Sequence, residues 1–211
     1  MFIKPFMLFV VLFKYFNSTT TILIIMKKNL SLLALIFCSV LTAQSTWTAD
    51  KAHSKIGFTV THLLISEVDG NFDEFEISAT AGDTFMDPSF DVSINTSSVD
   101  TDNERRDGHL KSGDFFDVEA HPTMTFKTTS VEKTGDNTFK MMGDLTMHGV
   151  TKPVTLEGKV NGVITDQRSQ KLKAGLKLTG TIDRTEFGVG EESAAIGSEI
   201  DLTINLEMAQ Q

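Results

Sequence analysis

Several stretches of this chain alternate apolar and polar residues with a period of two, and few folds accept that pattern. Ile56, Phe58, Val60 and His62 alternate with Lys55, Gly57, Thr59 and Thr61. Leu172, Ala174, Leu176 and Leu178 alternate with Lys171, Lys173, Gly175 and Lys177, and Ile200, Leu202, Ile204, Leu206 and Met208 with Asp201, Thr203, Asn205 and Glu207. Successive side chains of a strand point to opposite faces, so such runs belong to an antiparallel sheet with one dry and one wet face. Weaker runs at 72–80, 90–96, 123–129, 138–146 and 154–164 bring the expected total to about eight strands. Turn residues are expected at Asp69-Gly70-Asn71, Asp87-Pro88, Thr134-Gly135-Asp136-Asn137 and Asn161-Gly162. No helical periodicity supports βαβ units. The polar stretch 100–122, which contains Leu110, Phe115 and Phe116, reads as a short helix plus loop inserted in an all-β domain. A sandwich and a barrel both satisfy the pattern. Long strands joined by short turns favour the barrel, whose closure removes the edges and leaves an interior able to hold one small ligand.

The first 43 residues read as a leader. Met26-Lys27-Lys28, an apolar run over 30–41 and the small Ala43 have the layout of a secretory signal peptide, with the start expected at Met26 and cleavage before Gln44. The run is shorter than the roughly 20 residues a membrane-spanning helix needs, so no integral span is expected in the processed chain. Residues 1–25 add a second apolar patch broken by Lys4 and Lys14. Cys38 lies within the apolar run, but the bulky Ile36-Phe37 before it do not suit a lipid-attachment signal. The remaining residues, 44–211, suffice for one domain with a sizeable core. Because Cys38 is the only cysteine, that domain has no disulfide, thiol nucleophile or cysteine-bound metal. All 28 acidic residues but only 15 of the 19 basic ones lie beyond Ala43, a net charge of −13. That field excludes nucleic acid as a partner. An exported protein is expected in the periplasm or outside the cell.

The residues offer no anchor for catalysis. There is no Gly-x-Ser-x-Gly elbow. Gly188-Val189-Gly190 lies in a strand-like stretch with no helix after it, so it is not a phosphate loop. None of the five histidines, at 53, 62, 109, 121 and 148, is paired with another at the short spacings that place two ligands on one face. A metal site would require convergence in the fold, and neither a metal nor another cofactor is expected. Two competing classes are an exported β-sandwich for adhesion or assembly, with a filled core, and a metal-dependent hydrolase.

Five segments, in order, resemble the YceI-like family: His53 to Leu63 (HSKIGFTVTHL); Arg106-Asp107-Gly108-His109-Leu110 with Asp114-Phe115-Phe116-Asp117-Val118; Pro122-Thr123-Met124-Thr125-Phe126; Gly143 to Val154 (GDLTMHGVTKPV); and Arg184 to Gly190 (RTEFGVG). His121 stands where that family more often has an aromatic residue. The resemblance covers nearly the whole of 44–211. It implies an extended, lipocalin-like antiparallel barrel around an apolar tunnel that binds polyisoprenoids or other long-chain lipids, often as a homodimer.

The alternation itself nominates the tunnel wall: Ile56, Phe58, Val60, Phe72, Phe75, Phe90, Met124, Phe126, Phe139, Met141, Met147, Leu176, Leu178, Leu202 and Ile204. Its Phe and Met residues are bulky and, for Met, adaptable, as suits an apolar site that does not fix one ligand shape. Polar chemistry concentrates near Arg105, Arg106, His109 and Lys111, balanced by Asp102, Glu104 and Asp107. This cluster is expected either to meet a ligand headgroup or to form a salt-bridged plug around Leu110, Phe115 and Phe116. His62, His148 and Arg184 are further candidates for the headgroup or the barrel end. N-terminal sequencing of protein recovered after export is expected to read from Gln44; a soluble product that retains residues 1–25 would contradict the leader assignment.

Overall fold

The computed structural model describes residues 44–211; the proposed start at Met26, the signal segment 26–43 and the patch in 1–25 lie outside the described residues. Eleven strands and one α-helix follow in order: β1 (Ser45–Ala49), β2 (Lys55–His62), β3 (Ser66–Phe72), β4 (Phe75–Ala81), β5 (Ser89–Asn95), β6 (Val99–Asp100), α1 (Glu104–Lys111), β7 (Thr123–Lys133), β8 (Thr138–Met147), β9 (Val150–Thr165), β10 (Leu172–Asp183) and β11 (Ile196–Gln210). Six of these strands are halves of three bent ones. A 3-10 turn at Lys51–His53 interrupts β1/β2, two residues separate β3 from β4, and a 3-10 turn at Thr96–Ser98 interrupts β5/β6. Both turns are capped by a preceding side chain, Asp50 accepting from the Ala52 N–H and Asn95 from the Ser97 N–H. With the halves joined, eight staves remain.

Each stave pairs antiparallel with its neighbour in sequence, and β11 returns to pair with the first. The expected eight-stranded barrel is therefore closed, up-and-down, and not a sandwich. One end carries the turn after β2, the insert between β6 and β7, the β8–β9 turn and the loop between β10 and β11. The other carries the loops after β4, β7 and β9. At this second end the interior is solid. Trp47 is fully buried, its indole N–H donates to the Ala81 carbonyl at 3.3 Å, and its ring meets Phe85 edge-on at 4.9 Å, with Phe90 5.9 Å beyond.

Three local expectations are corrected. Asp69-Gly70-Asn71 is no turn; it lies inside β3, where Val68, Gly70 and Phe72 take the inward positions and polar residues the outward ones. The reversal falls instead at Leu63-Leu64, with φ of 52° and 59°, a left-handed conformation usually left to Gly and Asn. Asn161-Gly162 is a bulge within β9: Gly162 pairs with Gly175 and Val160 with Leu176, leaving Asn161 extra. Gly188-Val189-Gly190 is loop, with both glycines at positive φ. Among the described residues no helix is long and apolar enough to cross a membrane.

The packing at the solid end predicts its own weak point. Trp47→Ala should lower stability by about 3–5 kcal/mol, the usual cost of emptying a fully buried aromatic site, measured as a shift in the urea midpoint followed by circular dichroism.

Candidate functional site

Away from Trp47 the barrel interior opens into a cavity of about 600 Å³. Its wall is built from the inward-facing positions of the staves. Of the residues nominated from sequence, Ile56, Phe58, Val60 and Phe72 line it from β2 and β3, and Phe90, Met124 and Phe126 from β5 and β7. Met141, Met147, Leu178, Leu202 and Ile204 complete the opposite side. Three nominated residues do not line it. Phe139 and Leu176 share the inward faces of Met141 and Leu178 but sit one step nearer the solid end, where side chains close on one another, and Phe75 is buried at the bend between β3 and β4.

An eight-stranded barrel is just wide enough for its own side chains to fill, so an open interior needs a cause. Here the aromatic rings lie flat along the wall across inward-facing glycines of the next stave. Phe58 covers Gly70, Phe126 covers Gly143 and Phe139 covers Gly158; a Cβ at any of these glycines would overlap the ring. The pairs reproduce the packing of an aromatic over a cross-strand glycine that stabilises glycine in sheets. Each ring thus buries its area without crossing the lumen.

The mouth is polar. Thr61, His62, Asn103, Arg105, Arg106 and His109 border it, with Leu110, Phe115 and Phe116 of the insert beneath them. The expected salt-bridged plug is instead a hydrogen-bonded one. Arg106 donates from Nε to the Thr101 hydroxyl at 2.7 Å and from a terminal nitrogen to the Thr101 carbonyl at 2.6 Å, while Thr101 donates to Asp107 at 2.5 Å. The insert's one imidazole–carboxylate contact among the described residues is a hydrogen bond between His109 Nε2 and Asp114, at 3.1 Å. Phe115 meets the His109 ring at 5.0 Å within the insert, and Phe116 meets Phe72 at 5.7 Å, which packs the insert on the wall. Arg105 is exposed and has no ion pair among the described residues.

Arg184 also reaches the lining, but it is committed to the loop that follows it. Only 4% exposed, its guanidinium donates to the carbonyls of Val189, Glu191, Ile196 and Gly197. Burial pulls its pKa down, and the neighbouring Asp183 carboxylate offsets part of that. Asp183 in turn is held below the usual carboxylate range by the Thr185 hydroxyl and amide. A planar fork with five donors can satisfy several carbonyls at once, which a lysine cannot. His148 does not line the cavity; it sits in the β8–β9 turn with its ring 4.5 Å from that of His121. Sequence reasoning passed over Asp117 and His121 as a pair, although their spacing of four was legible. It also missed the lining residues Val68, Val189 and Ile196, which lie outside the alternating runs.

With this geometry in view, comparison with known proteins is decisive. The model of the YceI-like domain matches residues 47–208. The chain belongs to the YceI-like family. It is 38% identical over 194 residues to Protein YceI of Salmonella newport (strain SL254), an alignment covering 88% of this chain and 100% of that protein. Protein YceI of Escherichia coli O157:H7 is 39% identical over 196 residues, with the same coverage. Among solved structures, the Campylobacter jejuni YCEI protein matches with a TM-score of 0.64 at 33% identity, over 77% of this chain and 96% of that one. A polyisoprenoid binding domain from Saccharophagus degradans shares the fold, with a TM-score of 0.57 at 13% identity over 78% and 98% of the two chains.

The ring-over-glycine packing is testable. At Gly70 the three atoms nearest to a Cβ all belong to the Phe58 ring, so Gly70→Ala should push that ring into the lumen and weaken binding of a fluorescent long-chain probe at least tenfold, about 1.4 kcal/mol. Removing the ring in Phe58→Ala/Gly70→Ala should restore much of that binding. Equal probe affinity in Gly70→Ala and wild type would refute the arrangement.

Proposed function

We propose that the barrel binds one long-chain apolar molecule, a polyisoprenoid, quinone or fatty-acid derivative, and carries or sequesters it outside the cytoplasm. The observation that carries this reading is the 600 Å³ cavity itself, kept open by rings laid along the wall and closed at the Trp47 end. A volume of that order, apolar in depth and polar at its rim, suits a ligand with a hydrocarbon tail and a small polar head. The tail would lie against Met124, Met141, Leu178 and Leu202, and the head would meet Asn103, Arg105 and His109 at the mouth. An arginine can offer a bidentate fork to phosphate or carbonyl oxygens. The likeness to the polyisoprenoid binding domain from Saccharophagus degradans supports the same ligand class here. The leader layout in 26–43 supports export to the periplasm or beyond. Binding, not catalysis, is the role this reading assigns, because its polar groups stand at the rim and the depth of the cavity is apolar.

Mass spectrometry of an organic extract of protein purified from its own host should yield a long-chain lipid at close to one equivalent; repeatedly empty extracts would overturn the carrier reading. Leu178 and Lys177 test its location, since one lines the cavity and the other is exposed on the outer face. A carboxylate at position 178 would be desolvated at a cost of several kcal/mol, so Leu178→Glu should abolish probe binding. Lys177→Glu changes a solvated charge, typically within about 0.5 kcal/mol, and should bind normally. Circular dichroism melts on both variants keep lost folding distinct from lost affinity.

A further inference from the structure

We propose that Asp117, His121 and His148 form a binding site for a single divalent transition-metal ion of the zinc type, placed so that the ion would clip the insert at the tunnel mouth to the barrel. The site is separate from the tunnel, whose lining includes none of the three. One ligand atom from each residue lies within 4.8 Å of the other two, and all three side chains are half-buried. Zinc bonds of about 2.0–2.2 Å at tetrahedral angles set their ligand atoms roughly 3.3–3.5 Å apart, a distance that small side-chain rotations reach. Two imidazoles and one carboxylate are a borderline-soft donor set, suited to zinc and its neighbours and poorly suited to calcium or magnesium.

The three residues come from two segments far apart in sequence, and each is held by its backbone. Asp117 and His121 belong to the turn that leaves the insert: the His121 N–H donates to the Asp117 carbonyl at 2.7 Å, and the His121 carbonyl accepts from the buried Thr96 hydroxyl at 2.6 Å. His148 occupies the reversal between β8 and β9 and is followed by Gly149 at φ 76°, where a Cβ would press on the His121 ring. Backbone thus sets the two rings face to edge at 4.5 Å.

A second trio, Asp50, His53 and Glu207, shows why proximity alone is not the argument. Its groups are already used: His53 is bonded to Asp50 at 3.0 Å, which raises the imidazole pKa and lowers that of the carboxylate, and Glu207 accepts from Lys173 at 2.7 Å. In the Asp117 trio no hydrogen bond or ion pair among the described residues takes the carboxylate or either ring. These are three metal-ligating groups gathered at one point, with no hydrogen-bond partner for their side chains among the described residues.

The consequence is mechanical. Phe115 and Phe116, in the same insert as Asp117 and His121, line the tunnel, so an ion joining that insert to the β8–β9 turn would hold the cover of the mouth in place. It would stabilise the folded state in proportion to its affinity.

Calorimetric titration of chelator-treated, dialysed protein with Zn²⁺ alone tests the site. One equivalent should bind with a Kd below roughly 10 μM, and His121→Gln and His148→Gln should each weaken binding at least tenfold, about 1.4 kcal/mol. His53→Gln, which disturbs only the second trio, should leave binding unchanged. In unaltered protein, Zn²⁺ should shift the imidazole NMR signals of two histidines and no others, a result that does not depend on any variant folding. Saturation only above roughly 100 μM, a shift of other histidines, or loss of binding in His53→Gln instead would overturn the proposal. None of these results bears on lipid content, so the tunnel reading stands or falls separately.

Discussion

Everything in this molecule depends on β11 having a partner along both edges. Over fifteen residues it pairs with β10 on one side and with β2 and then β1 on the other. That closure joins the first stave to the last and forces one face of every stave into a shared interior. The period-two alternation is what makes closure favourable, since a shift of one residue in any stave would exchange its wet and dry faces. Stability follows from burial on the inner face. With no cysteine in 44–211, no covalent link supplements it.

Closure creates the interior, but the glycines decide that it is a cavity. Phe58 and Phe126 would fill a barrel of this width if they pointed to its axis, and Gly70 and Gly143 let them lie down on the wall. Large apolar residues therefore serve two ends at once: they bury area for stability and leave room for a ligand. Towards Trp47, even with Phe139 laid over Gly158, the side chains interlock, which gives the tunnel one blind end.

The mouth follows a different logic. Beside the apolar contacts of its loops, much of their order comes from side chains that satisfy backbone carbonyls. Arg184 gathers four carbonyls of the β10–β11 connection, and Arg106 with Asp107 fastens Thr101 at the start of the insert. Residues that sequence reading offered as headgroup contacts are thereby largely occupied with structure, and exposed Arg105 is left as the freer cation at the rim. The insert packs on the barrel through Phe116 and Phe72, and the trio of Asp117, His121 and His148 spans the junction between them.

Read alone, the sequence determined which residues face inward along its clearest strands, because alternation is a local property: the dry faces of β2, β10 and β11 and part of the cavity wall were legible from single strands. It also determined the approximate stave count, the insert and the family. It misplaced the β2–β3 turn, because inward Gly70 between Asp69 and Asn71 has turn composition but answers to Phe58 on the neighbouring stave, a contact absent from local sequence. Barrel over sandwich rested on β11 meeting β1, residues at opposite ends of the domain. How far the cavity extends, why Phe139 and Leu176 fall outside it, and how Asp117 and His121 come to face His148 were likewise decided only in three dimensions. The physical reason is the same in each case: facing is set by the strand's own geometry, whereas what is faced depends on which strand, turn or loop the closed sheet brings opposite.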